Sequence, residues 1–232
     1  SSSAASDVYK RQLLIGLDHQ RVNTNYLSIF DFTVPDSNVI HPVYGLPITR
    51  PDRSTAFYDY NQKTRQTGLY VQDQMALGNW RLTLGGREDW VHTGTTFFNQ
   101  GDATNTQRDK KFSGNAALSY VFDSGFVPYL SYAESFQPSS NASVSAQESF
   151  KPTEGKQWEL GIKYQPPGSN TLLSAAVYDL TQKNVAVTNN EGGVTFTSQT
   201  GEVKVRGLEL EAVSDVTKNL KVTAAYTLAK SD

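Results

Sequence analysis

Apolar and polar side chains alternate along about nine stretches of the chain, each roughly ten residues long. In residues 157–164, Trp158, Leu160, Ile162 and Tyr164 alternate with more polar neighbours. A period of two places successive side chains on opposite faces of an extended strand. The pattern therefore predicts an all-β protein whose strands have one apolar and one polar face.

The links between these stretches are alternately short and long. Short links are predicted at residues 77–79, 122–125, 165–169 and 214–219. Long links are predicted at residues 21–63, 93–108, 137–152 and 182–201. Short turns at one end of a sheet and long loops at the other are typical of an outer-membrane barrel. The alternation of short and long links thus predicts the wall of an antiparallel transmembrane β-barrel.

Charge placement indicates which face would meet lipid. In the strand at residues 80–90, Trp80 and Leu84 share one face, and Arg81 and Arg87 share the other. A basic side chain that faces lipid at the bilayer midplane costs about 2–4 kcal/mol, so these arginines are expected to face an aqueous or plugged lumen. In a soluble barrel the same arginines would face solvent, so the alternation alone leaves both interpretations open.

Aromatic positions and loop lengths favour the membrane interpretation. Many aromatic residues fall near predicted strand ends: Trp80, Trp90, Tyr120, Phe126, Tyr132, Phe136, Trp158, Tyr164 and Tyr226. Rings of this kind form girdles at membrane interfaces, although aromatic residues are also common in strands generally. Because soluble barrels seldom place every long loop at one rim, we expect a membrane barrel.

One strand changes its phase. Val203 and Val205 have one parity, whereas Leu208 and Leu210 have the other. A β-bulge at Arg206-Gly207 would restore a single apolar row, because glycine tolerates the backbone angles of a bulge.

Composition narrows the class of protein. Hydrophobic residues make up 38% of the 232-residue chain, which suits a barrel that is apolar only on its outside. The chain has no cysteine, and its net charge of −2 with interspersed signs gives no basic patch for nucleic acid. The pattern of strands and turns is uniform along the chain. We therefore expect one barrel fragment over residues 13–232, preceded by a non-native leader or assembly scar at residues 1–12.

The strand sequences resemble those of TonB-dependent siderophore receptors, especially the ferrichrome and ferric-hydroxamate type. The resemblance covers residues 13–232 and is carried by short motifs. These are Tyr-Val-Gln-Asp-Gln at 70–74, Leu-Gly-Gly-Arg-Glu-Asp-Trp at 84–90, Glu-Ser-Phe-Gln-Pro-Ser-Ser at 134–140, Trp-Glu-Leu-Gly-Ile-Lys-Tyr at 158–164, Tyr-Asp-Leu-Thr at 178–181 and Val-Arg-Gly-Leu-Glu-Leu-Glu-Ala at 205–212.

The resemblance implies a barrel of about 22 strands, closed by an N-terminal plug that contacts TonB. This chain would be part of the wall, without the plug. The implied function is import of ferric siderophores across the outer membrane of a Gram-negative bacterium, with energy from TonB and no cofactor. Outer-membrane lipid would be a further partner, and phages or colicins could dock on the loops. The alternatives left open are another cargo, such as a catecholate siderophore, cobalamin or another metallophore, and an outer-membrane phospholipase.

A ferric siderophore arrives with its metal already wrapped, so its receptor needs aromatic groups and hydrogen-bond donors rather than metal ligands. Aromatic residues in or next to the predicted long loops are the candidates for this role, and one histidine is added to them. The predicted ligand-binding residues are Tyr26, Phe30, Trp90, His92, Phe97, Phe136 and Phe150.

Charged residues on the polar face are the candidates for contact with a plug. They are Arg81, Arg87, Glu159, Lys163, Glu209 and Glu211. Glycines within the strands, among them Gly85, Gly86, Gly114 and Gly161, would either let a plug or ligand approach the wall or allow the strands to curve.

Catalytic and metal sites are not predicted. His19, His41 and His92 lie on different segments without metal-binding spacing. Ser135 and Ser139 lack the Gly-x-Ser-x-Gly context of a lipase nucleophile. The sequence therefore favours a binding and transport protein over an enzyme.

Overall fold

The computed structural model of the chain describes residues 10–29, 40–45, 51–139, 150–191, 194–199 and 201–232. Eleven strands lie within these residues. They are β1 (Lys10–Ser28), β2 (Tyr58–Leu77), β3 (Trp80–Phe97), β4 (Ala103–Tyr120), β5 (Phe126–Gln137), β6 (Thr153–Tyr164), β7 (Leu172–Lys183), β8 (Ala186–Glu191), β9 (Val194–Gln199), β10 (Glu202–Thr217) and β11 (Leu220–Ser231).

Nine of these strands form one sheet in the order β1-β2-β3-β4-β5-β6-β7-β10-β11. Every neighbouring pair is antiparallel. Strands β8 and β9 form a separate hairpin within the link between β7 and β10. The prediction of an all-β antiparallel wall of about nine strands is confirmed. The described residues contain no helix that is long and apolar enough to cross a membrane.

Several strands reach further toward the long links than the alternation predicts. β3 runs to Phe97 and β4 starts at Ala103, so most of the predicted long link at residues 93–108 is strand. β1 starts at Lys10, inside the expected leader, and it pairs with β2 as far as Ser28. The alternation does not reveal these extensions because their side chains are largely Thr, Asn and Gln on both faces.

The predicted bulge at Arg206-Gly207 is wrong. Pairing of β10 with β7 is continuous from Glu202 to Val213, and the register shift in β10 lies between Asp215 and Thr217. Val203 and Val205 therefore share a face with Glu209, and the strand needs no correction of phase.

The register divides the sheet into two faces. We call apolar face the one that carries a continuous row of paired aliphatic side chains across eight strands: Met75, Leu82, Leu118, Leu130, Leu160, Val177, Leu208 and Leu228. The other, which we call the polar face, carries Arg81, Arg87, Glu159, Lys163, Glu209 and Glu211, since each lies an odd number of positions from the residue of that row on its own strand.

The nine aromatic residues expected near strand ends all lie on the apolar face. Toward the short turns, Trp80 contacts Tyr120 with ring centroids 4.9 Å apart, and Phe126 stacks on Tyr164 at 4.1 Å. Trp80 and Trp90 are ten positions apart, which at about 3.4 Å per residue and a tilt of roughly 40° gives a band about 26 Å tall. This is the height expected of the apolar band of a membrane barrel.

Glycines on the polar face are covered by side chains of the adjacent strand. A Cβ at Gly161 would collide with the ring of Tyr129, and one at Gly207 would collide with the ring of Tyr178. The space above Gly85 is filled in the same way by Asn115. Neither prediction for the strand glycines anticipated this packing, in which a neighbouring side chain lies flat over the glycine.

Candidate ligand-binding surface at the long-loop end

Four aromatic residues of β1, β2 and β3 meet on the polar face, at the end of the wall where the links are long. We call this group the aromatic ledge: Tyr26, Tyr58, Tyr60 and Phe97. Tyr26 is the direct partner of Tyr60, and Tyr60 is the direct partner of Phe97. Because paired residues of an antiparallel sheet point to the same side, the register alone brings these rings together.

The rings of the ledge form a continuous surface. Tyr26 stacks on Tyr60 with centroids 5.4 Å apart and meets Tyr58 edge-on at 6.0 Å. Tyr60 contacts Phe97 at 6.0 Å. Phe97 is 3% exposed, whereas Tyr26 is 46% exposed. The ledge thus has a buried ring at Phe97 and an exposed ring at Tyr26. Burial, together with the neighbouring tyrosines, raises the pKa of the Tyr60 hydroxyl, which stays protonated.

Neutral hydrogen-bonding side chains continue the polar face below the ledge. Gln62 donates from Nε2 to Thr95 Oγ1 at 3.3 Å, and the hydroxyls of Thr64 and Thr93 also lie 3.3 Å apart. Gln62, Thr93 and Thr95 are buried. This part of the wall therefore offers aromatic faces next to amide and hydroxyl groups.

The segment before β2 is fastened to the wall behind the ledge. Arg53 donates to both oxygens of Asp59, at 2.5 Å and 2.7 Å, and its guanidinium lies 5.4 Å from the ring centroid of Phe98. The Phe57 amide donates to the Ser28 carbonyl at 2.9 Å. The Arg53 guanidinium holds the pKa of the buried Asp59 carboxyl below its usual value, so this ion pair persists at neutral pH.

The structure brings only part of the predicted ligand-binding set to the ledge. Tyr26 and Phe97 belong to it, while Phe30 lies outside the described residues. Phe150 precedes β6, and its carbonyl accepts a hydrogen bond of 3.0 Å from Gln107 Nε2 on the polar face of β4. Phe136 lies on the apolar face of β5.

Trp90 and His92 also lie on the apolar face, away from the ledge. With His19, Arg65, Arg108 and Lys110, among other residues, they line a shallow groove of about 530 Å³. The Lys110 ammonium lies 5.8 Å from the centroid of a Trp90 ring and 3.5 Å from a Glu88 carboxylate oxygen. An interfacial tryptophan with cations just beyond an apolar band fits a membrane boundary better than a ligand pocket.

Sequence reasoning placed Tyr58 in a loop and did not select Tyr60. The signal was present, because Tyr58 and Tyr60 have the parity of Gln62 and Thr64 and so extend β2 upward. This signal was not used because residues 21–63 were predicted to be a loop, with the strand starting after Lys63.

Most of the charged residues predicted to contact a plug already have partners within the wall. Arg81 folds back to the carbonyls of Gly78 and Trp80. Arg87 pairs with Asp18 and Asp89, and Asp89 is 3% exposed. Arg81 therefore caps the turn between β2 and β3, and Arg87 links β3 to β1.

A second group of these residues meets on β5 and β6. Glu159 accepts a hydrogen bond of 2.6 Å from Tyr129 Oη, and the Lys163 ammonium lies 5.4 Å from the centroid of the same ring. Glu209 and Glu211, on β10, form no ion pair within the described part of the chain. These two carboxylates are the acidic groups of the predicted set that stay available to a partner. Across the described ranges, no three His, Cys, Asp or Glu side chains are grouped so as to hold a metal ion.

An apolar band between aromatic rows and a polar face on the opposite side of the sheet together define a membrane-barrel wall. The model of the TonB-dependent receptor-like β-barrel matches residues 2–232. The chain belongs to this family, which consists of transport receptors of the Gram-negative outer membrane.

Several relatives in this family are similar to the chain over nearly its whole length. The chain is 39% identical over 225 residues to the ferrioxamine B receptor of Salmonella typhimurium, covering 97% of this chain and 31% of that protein. It is 35% identical over 237 residues to the ferrichrome outer membrane transporter/phage receptor of Escherichia coli K12, covering 100% of this chain and 31% of that protein. The chain therefore spans about a third of the length of these relatives.

Solved structures show the same fold. The closed form of the ferric-catecholate import receptor Fiu from E. coli K12 superposes with a TM-score of 0.73 at 22% identity, covering 96% of this chain and 35% of that one. The ferripyoverdine receptor of Pseudomonas aeruginosa, solved with bound ferripyoverdine, gives a TM-score of 0.71 at 23% identity, covering 95% and 30%.

Proposed function

We propose that this chain is part of the wall of a receptor that binds ferric siderophores of the hydroxamate type and imports them with energy from TonB. The observation that carries the proposal is the aromatic ledge, which lies on the polar face at the long-loop end. Relatives named as ferrioxamine and ferrichrome receptors, at 35–39% identity, support the class of cargo.

The ledge suits an iron complex whose metal is already wrapped. Such a complex presents an apolar rim with a few carbonyl oxygens, and flat aromatic rings beside amide donors can contact both. Tyr26, the most exposed ring of the ledge, would meet the ligand first, and Gln62 would lie below it. The protein then has no chemistry to perform on the cargo, so we propose transport without enzymatic activity.

The two faces would serve different partners. Lipid would cover the apolar face, and a plug that couples to TonB would lie against the polar face, where Glu209 and Glu211 are available to cations. The loops beyond the ledge would be accessible to phages or bacteriocins. The names of two family members, a phage receptor and a receptor solved with pyocin S2, support this last point.

The direct test is a binding titration of the full receptor with ferrioxamine B, combined with growth rescue under iron limitation. Tyr26→Ala removes a half-exposed ring and should raise Kd about tenfold, the range of a ligand-contacting aromatic residue. Trp90→Ala is the matched control, because Trp90 is an exposed ring on the opposite face, and Kd should stay within about twofold.

Two results would contradict the proposal. One is a Kd that rises with Trp90→Ala and not with Tyr26→Ala, which would place the ligand elsewhere. The other is growth rescue by a cobalamin or catecholate cargo and not by any hydroxamate complex.

A further inference from the structure

Charged side chains are distributed unevenly over the two faces at the long-loop end of the wall. On the apolar face this region carries many cations, among them Arg21, Lys63, Arg65, Arg108 and Lys110. On the polar face the same stretch of the described wall strands carries no cation, and its charged residue is Asp109 of β4. Its polar groups are amides and hydroxyls such as those of Thr24, Gln62, Thr95, Gln107, Ser135 and Gln182.

The charged residues of the polar face begin at the lower edge of this stretch. The first acidic residues met from the long-loop end are Asp18 on β1, Asp89 on β3 and Asp109 on β4. Their cationic neighbours do not stand free, because Arg87 is held by Asp18 and Asp89, and Lys111 is paired with Glu154 at 2.5 Å. Near the long-loop end, the described polar face therefore has no unpaired cation with which to receive an anion.

Ferric siderophores differ in net charge. Three hydroxamates, each with one negative charge, balance Fe³⁺, whereas three catecholates, each with two, leave the complex with three negative charges. A surface that must desolvate an anion needs cations or clustered donors to replace the lost water. Aromatic faces and neutral amides replace the contacts of an uncharged complex without such compensation.

We propose that the absence of cations from the described polar face at the long-loop end makes this wall a charge filter, which accepts ferric complexes without net negative charge and disfavours anionic ones. This inference rests on the proposed function and narrows it, because it explains a preference for hydroxamate complexes by the charges of the wall residues. It also predicts that binding depends weakly on salt, since no ion pair with the ligand is formed.

The test uses two derivatives with the same iron-coordinating core, N-acetyl ferrioxamine B without net charge and N-succinyl ferrioxamine B with one negative charge. Kd is measured for the full receptor at low and at high salt. The anionic derivative should bind about tenfold more weakly than the neutral one, and the Kd of the neutral derivative should be nearly independent of salt.

Two Thr→Lys variants locate the filter. Thr24→Lys adds a cation to the exposed polar face beside Gln62, and it should reduce the difference between the two derivatives to about threefold or less. Thr106→Lys adds the same charge to the exposed apolar face of β4, and it should leave the difference unchanged.

Each outcome is decisive. Equal Kd values for the two derivatives would refute the charge filter while leaving siderophore binding intact. A difference that responds to Thr106→Lys as strongly as to Thr24→Lys would refute its placement on the polar face. Failure of both derivatives, and of other ferric hydroxamates, to bind would refute the proposed function and the filter with it.

Discussion

Substitution of an apolar-face residue by arginine tests the orientation of the wall. Leu130 lies in the aliphatic row of the apolar face, paired with Leu118 and Leu160, and is 47% exposed. The next residue, Ser131, lies on the polar face opposite Glu159. Leu130→Arg and Ser131→Arg therefore place the same charge on adjacent positions of one strand, on opposite faces.

The expected costs differ enough to be measured. An arginine that faces lipid at midplane depth costs about 2–4 kcal/mol, and loss of the half-exposed leucine adds about 1 kcal/mol. An arginine at position 131 meets the Glu159 carboxylate across the pair and should change stability by less than about 1 kcal/mol. A difference of about 3 kcal/mol corresponds to more than a hundredfold in the ratio of folded to unfolded protein.

The measurement is the free energy of unfolding of the full receptor in phospholipid vesicles, obtained from urea titrations followed by tryptophan fluorescence and gel mobility. Leu130→Arg should lower the midpoint strongly, and Ser131→Arg should leave it nearly unchanged. Equal losses, or a larger loss for Ser131→Arg, would mean that the apolar face does not meet lipid and would refute the assignment of the two faces.

Two further substitutions test local packing. Gly161→Val should destabilise the wall by about 1–3 kcal/mol, because the ring of Tyr129 must move and lose its hydrogen bond to Glu159. Adding Tyr129→Ala to this variant should recover part of the lost stability. If Gly161→Val leaves the urea midpoint unchanged, the ring does not cover the glycine. The ion pair of Arg53 with Asp59 stabilises the fold at pH values above the ordinary aspartate pKa, and this stability is lost as the pH falls through the lowered pKa of the folded state. Amide exchange in residues 53–57 should therefore accelerate only in acid. In the Asp59→Asn variant, the exchange should be faster already at neutral pH.

The sequence was sufficient for the class of fold because the apolar band has a strict period. Leu160 and Ile162 alternate with Glu159 and Gly161, and only an extended strand with two different faces fits such a run. The same period assigned Arg81, Arg87, Glu159, Lys163, Glu209 and Glu211 to one face, where the register indeed places them. A slip of one residue in the register of any of these strands would have moved the charged residues of that strand to the other face.

The candidate site was predictable only in part because its strands have no apolar period. Above the band, both faces of β2 and β3 carry mostly polar side chains, so the alternation of apolar with polar residues stops there and only the parity of the tyrosines marks the strand. Trp90 and His92 were selected because they lie at the start of a predicted long link, yet their parity already placed them with Trp80 on the apolar face. Register, which depends on pairing between distant segments, was the missing information.

The length of the first four wall strands explains why the ledge lies on the sheet and not on a loop. β1 to β4 contain 19, 20, 18 and 18 residues, whereas a tilted strand needs only about 9–11 residues to cross the hydrocarbon core. The surplus residues stay paired, from Tyr26 with Tyr60 to Tyr60 with Phe97. A ligand that binds there meets rings already held by a hydrogen-bonded ladder, so little conformational entropy is lost on binding. The proposed affinity at the ledge should then depend on the ladder as well as on the rings, because loosening the pairing would remove this preorganisation.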